Sequence, residues 1–231
     1  PESTKQFSKL AGKHQTFSVK ETGWCALDPL FQPKPLNTSN DIPTILMCST
    51  FSKHLTCAPH LFETVKQLSK TGHWRWLLQF HPKIDKGIVE QYKTLEGEYL
   101  SFIETDDVIP LLKEADVMVC DTSSVLIMFL LQGKPVVTFK NINPQNYLIN
   151  IDTPTELENS IKAALKQPEE LMANIQNFID NTHPYQDGKS SERLLDAIEE
   201  KLSDKTSMNK IKGDFIRQLK MRKQLNYWKF W

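Results

Sequence analysis

The chain has 231 residues, 39% of them hydrophobic and 24% charged, enough to bury one large or two small cores. Its 28 Lys and Arg balance 28 Asp and Glu, so the net charge is zero and nothing global points to nucleic acid; any basic surface is local. No apolar run reaches the roughly 18 residues of a bilayer-spanning helix, and the cysteines at 25, 48, 57 and 120, with no CxxC pair, suit buried reduced thiols of a cytoplasmic protein rather than zinc ligands.

Residues 1–43 read as a lead-in segment, and the Pro-rich stretch Pro29 to Pro43 as a linker rather than sheet. From Thr44 two hydrophobic periods alternate. Thr44 to Cys48 reads as a buried strand, and Ala58 to Lys70 as a helix with Leu61, Val65 and Leu68 at helical spacing. Trp74 to Phe80 is a second strand, Ile84 to Lys93 a helix, Tyr99 to Ile103 a third strand and Val108 to Glu114 a helix. Val117 to Cys120 is a fourth strand, Val125 to Gln132 a helix and Val136 to Phe139 a fifth strand, with Tyr147 to Ile151 suited to a sixth. Helices over Thr155 to Lys166, Pro168 to Phe178 and Ser190 to Leu202 follow. Thr153 or Thr155 is placed to cap the first, Pro168 suits the first turn of the second, and Ser190 or Ser191 is placed to cap the third. Strand–helix alternation at this spacing predicts an α/β, doubly wound parallel sheet over residues 44–203, with a helical C-terminal extension. The last segment, 204–231, carries eight Lys or Arg against two Asp, with Phe215, Tyr227, Trp228, Phe230 and Trp231.

A doubly wound sheet binds ligands beyond the carboxyl ends of its strands, and the polar residues gather there. At Asp121-Thr122-Ser123-Ser124 a buried strand ends, three hydroxyls follow and an apolar helix begins. Such a turn offers backbone N–H groups and hydroxyls to phosphate oxygens, though Thr122 or Ser123 serves equally as a helix cap. His81 ends the second strand before Pro82, with Lys83 beyond, and is placed to donate to a diphosphate or to be a surface histidine at a turn. Ser49, Thr50, Ser52 and Lys53 form a polar loop after the first strand. That loop lacks the glycine fingerprint of a dinucleotide site, and neither GxxxxGK[ST] nor GxSxG occurs, which disfavours P-loop and α/β-hydrolase chemistry. His54 and His60 share no helical face and read as incidental.

Ala115 to Val125, followed by Gly133-Lys134-Pro135-Val136-Val137, resembles the C-terminal domain of the CDP-glycerol glycerophosphotransferases, the teichoic-acid-type polymerases and primases of the GT-B fold. Gly23-Trp24-Cys25-Ala26-Leu27-Asp28 is similar to their Gly-x-x-x-x-Asp segment, Phe80-His81-Pro82 to their His-Pro motif, and Asp187 to Arg193 to a late segment of this and related families. The family often has Tyr at the place of Thr122 and an acidic residue near Met128.

The resemblance implies a Rossmann-like half of a GT-B fold that binds CDP-glycerol or another nucleotide-activated donor. An acceptor hydroxyl, on a polymer or lipid-linked saccharide, attacks the β-phosphate and CMP leaves. His81 is then the candidate catalytic residue, and Ser49, Thr50, Lys83, Asp121, Thr122, Ser123 and Ser124 the candidate diphosphate ligands, with no metal or cofactor. An acceptor domain carrying the general base is expected upstream, since the chain opens on Pro1. Two other readings stand beside this one. The first is another GT-B enzyme, a glycosyltransferase or an enzyme like the UDP-N-acetylglucosamine 2-epimerases, although Val125 to Phe129 lacks the epimerases' paired glutamates. The second is a non-catalytic nucleotide-binding module. The basic, aromatic tail suits peripheral contact with the inner face of a membrane or a helix packed back on the protein.

Overall fold

A computed structural model describes residues 1–33, 42–204 and 215–228. A helix not anticipated from the sequence, α1, covers Glu2–His14. A turn of 3-10 helix at Cys25–Leu27 leads into α2, Asp28–Phe31, inside the segment read as linker; residues 34–41 of that linker lie outside the described residues. Then come β1 (Thr44–Ser49), α3 (Ala58–Leu68), β2 (Arg75–Phe80), α4 (Lys86–Lys93), β3 (Leu100–Phe102), α5 (Ile109–Glu114), β4 (Val117–Cys120), α6 (Val125–Leu130), β5 (Val136–Phe139) and β6 (Ile149–Ile151). Helices α7 (Leu157–Leu165), α8 (Glu169–Thr182), α9 (Ser190–Ser203) and α10 (Phe215–Gln224) follow.

The six strands form one parallel sheet in the order β3-β2-β1-β4-β5-β6. Every residue of β1, β4 and β5 is buried, because helices cover both faces, and this is why those strands are apolar throughout rather than alternating. Alternation survives in which face each residue serves. Ile45, Met47, Val117 and Val119 pack with α3, α4 and α7 through Leu61, Val65, Tyr92 and Ile161. Leu46, Cys48, Met118 and Cys120 pack on the other side with α2, α5, α6 and α8 through Leu30, Leu112, Phe129 and Ile175.

Local signals were realised unevenly. Thr153, one of the two residues placed to cap this region, forms a capping box with Glu156 at the 3-10 turn Pro154–Glu156 that leads into α7, whereas Pro168 sits just ahead of the first turn of α8. Lys134, of the Gly-Lys-Pro motif, donates from Nζ to the carbonyls of Leu112 (2.9 Å), Lys113 (2.9 Å) and Ala115 (2.6 Å), so this motif closes the C-terminal end of α5 rather than facing a ligand.

The chain divides into two compact units. One is Thr22–Asp196 together with Pro1, and holds the sheet; the other is Glu2–Glu21 with Ala197–Trp231. Within the second, Lys20 pairs with Glu200 at 2.7 Å. Among the described residues no helix is long and apolar enough to cross a membrane.

Candidate functional site

The strand order reverses between β1 and β4. Connections leave these neighbours in opposite directions, which opens a crevice at their carboxyl ends. The loop after β1 and the loop after β4 are tied there by one carboxylate. Asp121 accepts from Ser49 Oγ (2.7 Å), the Thr50 N–H (3.0 Å) and the Cys57 N–H (3.0 Å), and Ser49 Oγ also meets Thr56 Oγ1 at 2.7 Å. Asp121 is fully buried and Ser49 is 3% exposed. Both were expected among the diphosphate ligands; instead they face inward. A carboxylate at a strand end beside two backbone N–H groups is worth more as their acceptor than turned toward another anion. Thr56 and Cys57 complete this knot, and no sequence motif marks them.

The groups left at the surface are different ones. Thr50, Thr122 and Ser123 are half-buried, and Ser124, His81 and Lys83 are exposed. Ser124 occupies the N-cap of α6 with helical dihedrals and makes no side-chain cap, so capping does not consume its hydroxyl. Thr122 Oγ1 accepts from the Ile142 N–H at 3.1 Å, tying this turn to the loop after β5. Helix α6 has only six residues, so the turn offers hydroxyls and first-turn N–H groups more than a long helix dipole.

His81 is held from two sides. Its backbone N–H donates to Ser49 O (3.0 Å), and its Nδ1 accepts from the Lys83 N–H (3.1 Å). In the neutral ring the proton therefore sits on Nε2, which is left to donate. The ring lies 4.5 Å from that of Phe51, and Lys83 Nζ lies 5.8 Å from the same phenyl centroid. Phe51 is 47% exposed, a large aromatic at the mouth of the crevice that the sequence did not single out. A cleft of about 630 Å³ opens on the β2–β3 side, with Phe80, Ile84, Val89 and Phe102 as apolar lining and His81, Glu104 and Thr105 among its polar groups. The strand ends at 49–53, 81–83, 104–107 and 121–124 thus lie along one edge of the sheet, in the spatial order set by β3-β2-β1-β4.

The two outlying motifs meet each other. The Asp28 carboxylate accepts from the backbone N–H groups of Ser190 and Ser191, each at 2.8 Å, and so caps α9 from a distance. The serines expected to cap this helix are its first residues instead. Burial alone would raise the Asp28 pKa, but the hydrogen bonds from Ser191 and Ser190 outweigh it and hold the carboxyl at about 2. The Trp24 N–H donates to His183 Nε2 at 2.9 Å, and the imidazole stacks on Phe31. Burial lowers the His183 pKa, favouring the neutral acceptor. Gly23 has φ +88°, and a Cβ there would meet Ser190 Oγ at 2.4 Å; Gly188 has φ +67°, and its Cβ would meet Asp28 O at 2.9 Å. Both glycines are therefore demanded by backbone conformation and close approach. Arg193 pairs with Asp187 and lies over the Tyr185 ring. This cluster is a clasp between the two ends of the sheet unit. Burial pushes the Cys48 thiol up to about 12 and raises Cys57 and Cys120 well above the usual range, with the Asp121 charge adding to each.

Residues 49–147 match the family model described as CDP-Glycerol:Poly(glycerophosphate) glycerophosphotransferase. The match runs from Ser49, the last residue of β1, through β5 and contains the Asp121 knot, His81 and the Thr122–Ser124 turn. A comparison with curated proteins finds no match. Among solved structures, a UDP-N-acetylglucosamine 2-epimerase is 16% identical with a TM-score of 0.57, over 91% of this chain and 59% of that one. The MnaA protein of S. aureus, solved with UDP, is 19% identical with a TM-score of 0.55, over 91% and 61%. The wall teichoic acid polymerase TagF is 18% identical with a TM-score of 0.52, over 74% and 47%. At these identities the likeness is one of fold, that of GT-B-like domains. This chain spans less than two thirds of each of these structures.

Proposed function

We propose that this chain, whose residues 49–147 match the CDP-glycerol:poly(glycerophosphate) glycerophosphotransferase family model, holds the diphosphate of CDP-glycerol at the carboxyl edge of its sheet. The observation that carries this reading is the crossing of family segment and geometry. The matched residues are those in which the Asp121 knot fixes two loops at the strand-order reversal, leaving Thr50, Ser123, Ser124 and His81 Nε2 accessible. In the reaction an acceptor hydroxyl oxygen forms a bond to the β-phosphorus while the bridging P–O bond breaks. CMP leaves with the bridging oxygen, and the hydroxyl proton passes to a base. This chain's part is to orient the diphosphate and to stabilise the charge that gathers on the leaving phosphate, with His81 Nε2–H as donor and the hydroxyls as further donors. Asp121 and Ser49 act as positioning residues. The acceptor site and the base belong, in this proposal, to a second domain of the kind that completes the longer structures of this fold.

Thermal-shift titration with CDP, UDP, GDP and ADP tests the reading. CDP is expected to raise the midpoint most. Stabilisation by none of the four at millimolar concentration overturns the nucleotide site, and a preference for UDP or GDP moves the donor to a nucleotide sugar.

A further inference from the structure

His81 and Lys83 share one turn beyond β2. The His81 N–H donates to Ser49 O and its Nδ1 accepts from the Lys83 N–H, but neither bond reaches the Lys83 ammonium. Among the described residues no carboxylate pairs with Lys83, and no ring other than that of Phe51 meets His81. Phe51 lies two residues beyond Ser49, whose register partner is Phe80, so the pairing of β1 with β2 brings its ring to the turn. The ring centroid is 4.5 Å from that of the imidazole, at an interplanar angle of 43°, and 5.8 Å from Lys83 Nζ. Phe51 belongs to neither hydrophobic core, and nearly half of it is exposed. Its ring instead meets two of the candidate diphosphate contacts at once.

We propose that Phe51 is a positioning residue for the diphosphate contacts, holding the His81 imidazole and the Lys83 ammonium against one ring. This role rests on the nucleotide reading and adds to it the residue that orders its charged edge. An exposed lysine samples many rotamers, and fixing it costs affinity when an anion arrives. The face of a phenyl ring attracts an ammonium without neutralising it, so Lys83 is steadied while its full charge stays available. A carboxylate in the same place would steady the ammonium too, yet it would cancel that charge and repel a diphosphate. The tilted ring also backs the imidazole, whose Nδ1 is already occupied, so that Nε2 remains the free donor. A phenyl ring offers no donor to a phosphate oxygen, so the whole effect of Phe51 passes through His81 and Lys83.

Calorimetric titration of the whole chain with CDP and with cytidine tests it. F51A is expected to weaken CDP binding by about threefold to tenfold, the worth of one ring contact and one exposed cation–π contact, and to leave cytidine binding unchanged. F51Y and F51W keep an aromatic face and are expected to stay within about twofold of the native chain. In the H81A/K83A background F51A is expected to weaken CDP binding no further, since the groups it orders are gone. Thermal midpoints are expected to match those of each parent, because Phe51 lies outside both cores. CDP binding by the native chain with F51A indistinguishable from it overturns the positioning role and leaves the nucleotide reading intact. So does equal loss for CDP and cytidine, which assigns the ring to the base or to the fold, or an equal effect of F51A with and without His81 and Lys83. A native chain that binds neither ligand overturns the nucleotide reading itself, and the positioning role falls with it.

Discussion

Three donors converge on the fully buried Asp121 carboxylate from Ser49, Thr50 and Cys57. Removing the acceptor strands the buried Cys57 N–H and leaves Ser49 Oγ only Thr56 as a partner, so Asp121→Ala is expected to destabilise the sheet unit by about 2–3 kcal/mol in urea unfolding. Nucleotide affinity should fall with it, because two loops lose their mutual register. His81 is placed otherwise. Its side chain is exposed and accepts only from the Lys83 N–H two residues on, so losing that side chain should leave the fold intact. His81→Ala is expected to weaken CDP binding by about tenfold or more while leaving cytidine binding unchanged, as the loss of one charge-assisted hydrogen bond of ~1.5–3 kcal/mol requires. Equal loss for both ligands in calorimetric titration would assign His81 to the fold. Ser123→Ala and Ser124→Ala are expected to follow His81 in this comparison.

At the scale of elements, the clasp between Gly23–Asp28 and His183–Arg193 makes a stability prediction with a definite sign. The Asp28 pKa is held at about 2, below the ordinary aspartate value near 4. A depressed carboxylate stabilises the native state fully above its unfolded pKa and loses that contribution as pH falls through the folded one. The Asp28 contribution is therefore present above about pH 4 and fades between about 4 and 2. Asp28→Asn should cost ~1.5–3 kcal/mol at pH 7, and the gap between variant and parent should narrow across that acid window in chemical denaturation. A constant gap down to pH 2 would show that Asp28 acts by shape alone. Lys134 belongs at the same scale. Its ammonium closes three carbonyls at the end of α5, so Lys134→Met should cost about 1–3 kcal/mol without changing nucleotide affinity.

For the whole molecule, the proposal divides the labour of transfer. This chain spans 47% of the TagF structure it is similar to, so it is expected to bind CDP yet to turn over little or no CDP-glycerol with an acceptor. Robust release of CMP by the chain alone would overturn the assignment of acceptor site and base to a second domain.

The strands β1, β2, β4 and β5 were legible in the sequence to within about a residue, because a sheet covered on both faces must be apolar at every position and helices between strands must show the longer period. That information is local, and so is the Thr153–Glu156 capping box. The sequence implied a doubly wound parallel sheet, but the order β3-β2-β1-β4-β5-β6 came only from the structure. Side-chain direction was not local. Asp121 and Ser123 stand two residues apart at one strand end, yet one is fully buried and the other half-buried, because Asp121 finds its donors on a loop 64 to 72 residues away. Asp28 likewise caps a helix 162 residues on, displacing the nearby serines that local chemistry favours for the task. Phe51 acquires its place beside His81 only when β1 and β2 pair, Ser49 against Phe80. Periodicity and turn chemistry are written within a few residues, so they fixed the elements. Which polar group turns inward depends on partners brought up by the sheet, so only the tertiary structure could separate the residues that build the crevice from those that face it.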